Sequence, residues 1–338
     1  MRRTRIILQA SLAILLLATS TPLAGQKHSK KTERAEAAAN LPAVIWRDPG
    51  DISTLNLLYG IGGSEDAPDP SGKYTFREED MNGTSPKFDV EDEHGVRWRA
   101  KLGDEPQSET AATRLLWAAG YFVDEDYYLP EIKVTGLPKL HRGQGYISTD
   151  GTVRRVRLKR RPKSVKKIGT WSWFANPFVG TKEFNGLRVM MALINNWDLK
   201  QENNAIYATD VERRYLVSDL GASFGKTGDS IGRSKSVPKD YVNSKFIDKV
   251  AGDHVDFVMH SRPFILSVFN VPNYANRTHM QSVTKHIPRA DAKWLGQRLS
   301  QLSAEQIRDC FRAGGYTSEE VESYAEVVRK RIEELNTL

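Results

Sequence analysis

The sequence predicts an α+β chain with a β-rich first half built around one central helix, followed by a mainly helical second half. Three observations carry this. Short strand-like runs separated by Gly, Asn and Asp turns crowd residues 74–160. Within them, Ala112, Leu115, Leu116 and Ala119 recur at helical spacing and mark one buried stripe. Beyond residue 181 helical patterns dominate, and Ser303-Ala-Glu-Gln306 and Thr317-Ser-Glu-Glu320 each match a capping box before an amphipathic run. A chain of 338 residues is long enough for two lobes and a sizeable core.

Composition is ordinary for a globular protein, with 27% charged residues. The formal charge is +7; Arg2, Arg3 and Arg5 supply three of these and residues 1–25 hold no acid, which leaves +4 for the rest. So small an excess does not by itself imply a nucleic acid partner. Cys310 is the only cysteine, so an intrachain disulfide and a cysteine metal site are both excluded. The seven histidines show no H-x-x-x-H or H-E-x-x-H spacing, and no G-x-S-x-G occurs. Zinc-hydrolase and serine-hydrolase readings therefore have no support.

Residues 1–24 read as a signal peptide: three arginines, an apolar run from Ile6 to Ala18, then small residues. The run is short for spanning a bilayer, which favours cleavage over anchoring. The expectation is a secreted or periplasmic protein without a stable membrane span once the leader is removed. Residues 25–40 are polar and alanine-rich and read as a flexible tether. Two lobes are then expected, at 41–160 and 161–338.

In the first lobe Asp51 to Leu58 suggests a short helix or turn, and Tyr74 to Asp80 a strand. The loop Asn82-Gly83-Thr84-Ser85-Pro86-Lys87 follows. A hairpin comes next, Lys87 to Val90 and Val96 to Leu102, turning at Asp92-Glu-His-Gly95. This order has a physical use. The backbone and hydroxyls of Gly83, Thr84 and Ser85 can approach phosphates closely, and Lys101 projects from the return strand towards them. Gly60-Ile-Gly62-Gly63 is a rival glycine loop, ranked lower because no hairpin joins it to Lys101. Pro106 opens the central helix and Gly120 closes it. Glu109 lies three residues before Ala112, on the inward side, where a carboxylate requires a cation. Lys101 is the natural partner; the alternative is that Glu109 only complements the helix N-terminus.

Val153 to Lys159 alternates as a strand. Nine basic residues lie between Arg154 and Lys167, without the aromatic interleaving of an RNA-binding module. An anionic partner is one reading; a solvated strand face and linker is the expectation adopted. In the second lobe Trp171, Trp173 and Phe174 read as core aromatics. A helix from Thr181 to Asn195 would deliver Asp198 rigidly at its end.

Asp198, Lys200 and Asn203 form D-x-K-x-x-N, and Asp219-Leu-Gly221 follows after two short strands, Ala205 to Tyr207 and Tyr215 to Val217. A hairpin there would bring Asn203 and Asp219 side by side, as oxygen ligands of a shared divalent cation must be. Asp198 is placed to serve an attacking hydroxyl. The plainer alternative is that Asp198 and Asn203 only turn a helix end and that Asp219-Leu-Gly221 is a strand-end turn.

In this order and spacing, residues 75–225 resemble the atypical branches of the protein-kinase-like fold: secretory-pathway Golgi kinases, spore-coat CotH-type kinases, HipA-type kinases and phosphatidylinositol kinases. The segment Gly83-Thr84-Ser85-Pro86-Lys87 is similar to their phosphate-binding loop. Lys101 matches the phosphate-holding lysine and Glu109 its helix partner. Asp198 matches the catalytic aspartate, with Lys200 in the same motif. Asn203 and Asp219 match the metal ligands. Asn196-Trp197 stands where many kinases have His-Arg, and Leu220 replaces the phenylalanine of D-F-G. The resemblance implies ATP and Mg²⁺ or Mn²⁺ as cofactors, and γ-phosphoryl transfer to a hydroxyl of a protein or small-molecule acceptor. Two other functions fit the same residues: a kinase-like nucleotidyl transferase, and a non-catalytic, pseudokinase-type binding module of the envelope.

Overall fold

A computed structural model describes residues 30–162, 164–228, 232–261, 263, 265 and 271–338. The predicted leader lies outside the described residues, as does most of the apolar run 264–269. The chain is an α+β structure. In order, its elements are α1 (Lys30–Ala37), β1 (Ala43–Val44), β2 (Lys73–Glu79), β3 (Lys87–Asp92), β4 (Arg97–Leu102), α2 (Glu105–Ala118), β5 (Asp126–Thr135), β6 (Thr152–Arg160) and β7 (Lys166–Gly169). There follow α3 (Lys182–Leu193), β8 (Asn204–Ala208), β9 (Arg213–Val217), α4 (Pro238–Val242), β10 (Ile247–Ala251) and β11 (His254–Phe257). The chain finishes with α5 (Val271–His279), β12 (Ile287–Pro288), α6 (Arg289–Leu299), α7 (Ala304–Ala313) and α8 (Ser318–Thr337). Among the described residues no helix is long and apolar enough to cross a membrane.

Strands β2 to β6 close into a barrel in the order β2-β3-β4-β6-β5. Its interior is apolar: Phe88, Val90, Trp98, Ala100, Val153, Val156 and Leu158 are all buried there. In the β4–β6 ladder Lys101 stands opposite Arg157, and Ala100 opposite Leu158. Side chains alternate along a strand, so Ala100 and Leu158 fill the barrel while Lys101 and Arg157 point to its other face. Helix α2 covers that face. The basic run is only in part the solvated strand face expected of it: Arg154, Arg155, Arg161 and Lys167 are exposed, but Arg157 is 4% exposed.

The second core surrounds α3, whose Leu187, Val189, Met190 and Met191 are buried with residues from α2 and from α6 to α8. Trp171 and Trp173 belong to it, as expected of core aromatics, whereas Phe174, expected with them, is 45% exposed. Thr181 caps α3, accepting from the Phe184 amide. Both capping boxes form, at Ser303 with Gln306 and at Thr317 with Glu320. Strands β8 and β9 form the predicted hairpin, with Asn204 opposite Val217. Two long-range joins had no local signal. Strand β1 pairs in parallel with β9, at the end of the four-stranded sheet β1-β9-β8-β7. The amide of Gln306 on α7 donates to the carbonyls of Ile52 and Leu55, at 2.8 and 3.0 Å. Ile45, Ile52 and Leu57 accordingly pack in the second core.

Candidate active site

The site forms where the barrel's outer face meets the β8–β9 hairpin. Lys101, one residue before the end of β4, faces α2 and is 4% exposed. Its Nζ lies 2.9 Å from Glu109 Oε2, 2.6 Å from Glu105 Oε2 and 3.1 Å from Asp219 Oδ1. Glu109 is thus an ion-pair partner and not merely a helix N-terminal acid. Burial acts against the Lys101 charge, but Glu109, Asp219 and Glu105 outweigh it and raise its pKa well above the usual lysine range. Glu109 is 1% exposed. Burial pushes its carboxyl up, with Arg157 and Lys101 opposing. For Glu105 and Asp219 burial also acts upward, yet Lys101 prevails and both carboxyls sit below their ordinary values.

Asn203 ties the remaining parts together. Its Nδ2 donates to the Asp198 carbonyl at 2.6 Å, and its own carbonyl accepts from the amides of Ser218 and Asp219 at 2.8 and 3.2 Å. That bond commits the amide nitrogen and leaves Oδ1 as the acceptor. The side chain of Asp219 is 44% exposed, and its contacts with Lys101 and the Gly221 amide both fall on Oδ1. A carboxylate and an amide oxygen on adjoining chain segments are the hard donors that Mg²⁺ or Mn²⁺ prefers. The donor set fits such an ion.

Asp198 follows α3 by a short turn held by Asn196, whose Oδ1 accepts from the Asp198 amide at 3.0 Å. Its carboxylate is engaged twice, by Lys200 at 2.9 Å and by Arg277 of α5 at 2.5 Å. The loop between β2 and β3 reaches the site through Ser85. Gly83 has φ +68°, and its carbonyl accepts from Arg142. Thr84 is exposed, and Ser85 Oγ donates to Glu105 Oε2 at 2.8 Å. Lys87 stands opposite Lys101 across β3 and β4; burial first, then Lys101 itself, lowers its pKa. The rival loop at 60–63 packs elsewhere. A Cβ on Gly60 would strike the Arg114 guanidinium, and the Gly63 carbonyl accepts from Tyr127.

Three contributors escaped the sequence reading. Glu105 stands one helical turn before Glu109, a spacing that places both on one face; it also binds Lys235 at 2.6 Å. Arg157 was hidden in the basic run. Arg277 lies far along the chain, with no local signal. Behind the site Asp124 accepts from Ser218 Oγ at 2.5 Å and pairs with Lys159 at 2.9 Å, bracing the residue before Asp219 against β6.

Gly221 has a packing role. A Cβ there would sit 2.7 Å from Glu105 Cβ, closer than two such atoms approach. Gly221→Ala is expected to push the start of α2 away, costing about 1–3 kcal/mol of stability. Urea unfolding measures that cost, and an unchanged midpoint would refute the contact.

An α+β chain with a buried lysine shared among three carboxylates, beside a second motif of aspartate, lysine and asparagine, is the class of protein that this geometry defines. It is similar in structure to a proinflammatory kinase of Helicobacter pylori, CtkA, at 12% identity and TM-score 0.44, over 79% of this chain and 94% of that one. It is also similar to the Golgi casein kinase, at 11% identity and TM-score 0.35, over 80% of this chain and 73% of that one. No family model and no curated protein sequence matches it.

Proposed function

We propose that the chain is a kinase of the two-lobed protein-kinase-like fold, with lobes at 41–160 and 161–338, transferring the γ-phosphoryl group of ATP to a hydroxyl of a protein or small-molecule acceptor. The observation that carries this reading is the shared position of Lys101, within 3.1 Å of both the helix carboxylate Glu109 and the hairpin carboxylate Asp219. Such a lysine is poised to exchange one carboxylate for a phosphate. Asn203 and Asp219 would hold Mg²⁺ or Mn²⁺. That ion, when bound, neutralises charge on the phosphates. Gly83, Thr84, Ser85 and Lys87 would close over the phosphates. Asp198 would orient the acceptor hydroxyl and take its proton as the new oxygen–phosphorus bond forms and the bond to ADP breaks. For this, Arg277 must release the Asp198 carboxylate. Lys200, 2.9 Å from Asp198, would stay beside it and steady its charge. The leader motif supports a secreted or periplasmic site of action.

The test is a thermal melt of the purified chain with ATP and Mg²⁺ or Mn²⁺, followed by incubation with γ-labelled or α-labelled ATP and candidate acceptors. Metal-dependent stabilisation of about 2.7 kcal/mol at a hundredfold excess over Kd is expected, with label transferred from the γ position. Transfer from the α position would establish nucleotidyl transfer instead. Binding without transfer would favour a non-catalytic module. No shift with either metal overturns the nucleotide site.

A further inference from the structure

Arg157 completes the buried charge cluster from a direction that the proposed chemistry leaves unused. Its guanidinium contacts Glu109 Oε1, while Lys101 takes Oε2. All three side chains are almost fully inaccessible. The register of β4 and β6 sets Arg157 directly across from Lys101, so two cations from neighbouring strands converge on one carboxylate. Behind Arg157 stands Asp126, 3.7 Å from Nη1 and 0% exposed in its side chain. Asp126 is fixed in turn by Arg114 at 3.1 Å and by the Thr113 hydroxyl at 2.9 Å. The charged groups around Glu109 are therefore Lys101 on β4, Arg157 on β6, Glu105 on its own helix and Asp219 after β9, with Asp126 of β5 behind Arg157.

Lys101 is divided among three carboxylates, and a nucleotide phosphate would add a fourth anion. A buried carboxylate that depends on such a lysine alone would protonate, or lose its geometry, when the lysine is drawn away. A guanidinium does not deprotonate in a protein, and here its Nη1 lies against both Glu109 and Asp126. We propose that Arg157 is a positioning residue, the second counterion of Glu109, which keeps that carboxylate ionised and aimed at Lys101 while Lys101 passes from Asp219 to an incoming phosphate. The passage to phosphate rests on the nucleotide-site reading above; the counterion role does not.

The test uses the full chain labelled with carboxyl-¹³C glutamate, with the Glu109 signal assigned by its loss in Glu109→Gln. In Lys101→Met, Glu109 is expected to remain ionised at neutral pH, held by Arg157 alone. In Arg157→Gln, its titration midpoint is expected to rise by about one pH unit or more, a tenfold change in proton affinity. Arg157→Lys restores the midpoint. In steady-state assays of a chain that binds ATP, Arg157→Gln raises KM for ATP about tenfold below neutral pH and leaves kcat within about threefold, the pattern of lost ground-state and transition-state binding in equal measure. A Glu109 that is neutral at pH 7 in Lys101→Met overturns the proposal. So does a folded Arg157→Gln that lowers the melting temperature without moving the Glu109 midpoint, since that describes a structural staple. If the unmodified chain binds no nucleotide, the kinase reading falls, while the Glu109 titration still decides the counterion role.

Discussion

Asp219→Asn is expected to abolish the metal-dependent thermal shift with ATP and to lower phosphoryl transfer by at least about a thousandfold. The reason is the division of labour in the site. Asp219 is the proposed metal ligand that also holds Lys101, and its half-open side chain is the one of Lys101's three carboxylates able to turn to an external cation. Asparagine keeps the shape and an oxygen but removes the charge. Folding itself should change little, because Glu105 and Glu109 remain on Lys101. The two readouts separate: the melt without ligand stays put, and the ligand-induced shift disappears. A retained shift of ordinary size would show that the nucleotide metal is held elsewhere.

Lys101→Met should be costly in the opposite way, through the fold as well as the ligand. It leaves Glu105 and Asp219 facing each other without their shared cation, and removing one partner of a buried ion pair costs on the order of 3–5 kcal/mol. The loss should depend on pH. Burial works against the Glu105 charge, but Lys101 holds the carboxyl well below its ordinary range. That contribution is complete above the unfolded value, near pH 4.3, and fades as pH falls through the folded value. The stability gap between the two chains should therefore be widest at neutral pH and above, and should narrow in acid. Chemical unfolding at several pH values measures it. A gap that is constant across that range would mean that Lys101 contributes by packing and not by charge.

Much of this arrangement was legible locally. The hairpin that joins Asn203 to Asp219 was readable because its strands alternate about a polar turn, and its geometry follows from that pairing. The inward place of Glu109 followed from helical spacing alone. What remained hidden depended on knowing what covers a surface. The strand carrying Arg157 has the alternation of a half-solvated strand, and only the packing of α2 across it turns the outer face into a second interior. Glu105 and Arg277 were missed for a related reason. Each is an ordinary charged residue on a helix, and part of its meaning comes from a distant segment, Lys235 at 130 residues for one and Asp198 at 79 residues for the other. The parallel strand β1 was unreadable because two residues carry no period.

The two ends of the described chain are interlocked. Strand β1 needs β9, and the carbonyls at 52–55 need Gln306 of α7. The barrel of β2 to β6 is contiguous in sequence, but the segment 43–57, which packs in the second core, cannot complete its contacts until residues as late as Gln306 are in place. Closing such large loops makes folding slow and late. Helix α7 also packs against α2, so a product lacking α7 and α8 would leave the helix that carries Glu105 and Glu109 without that support.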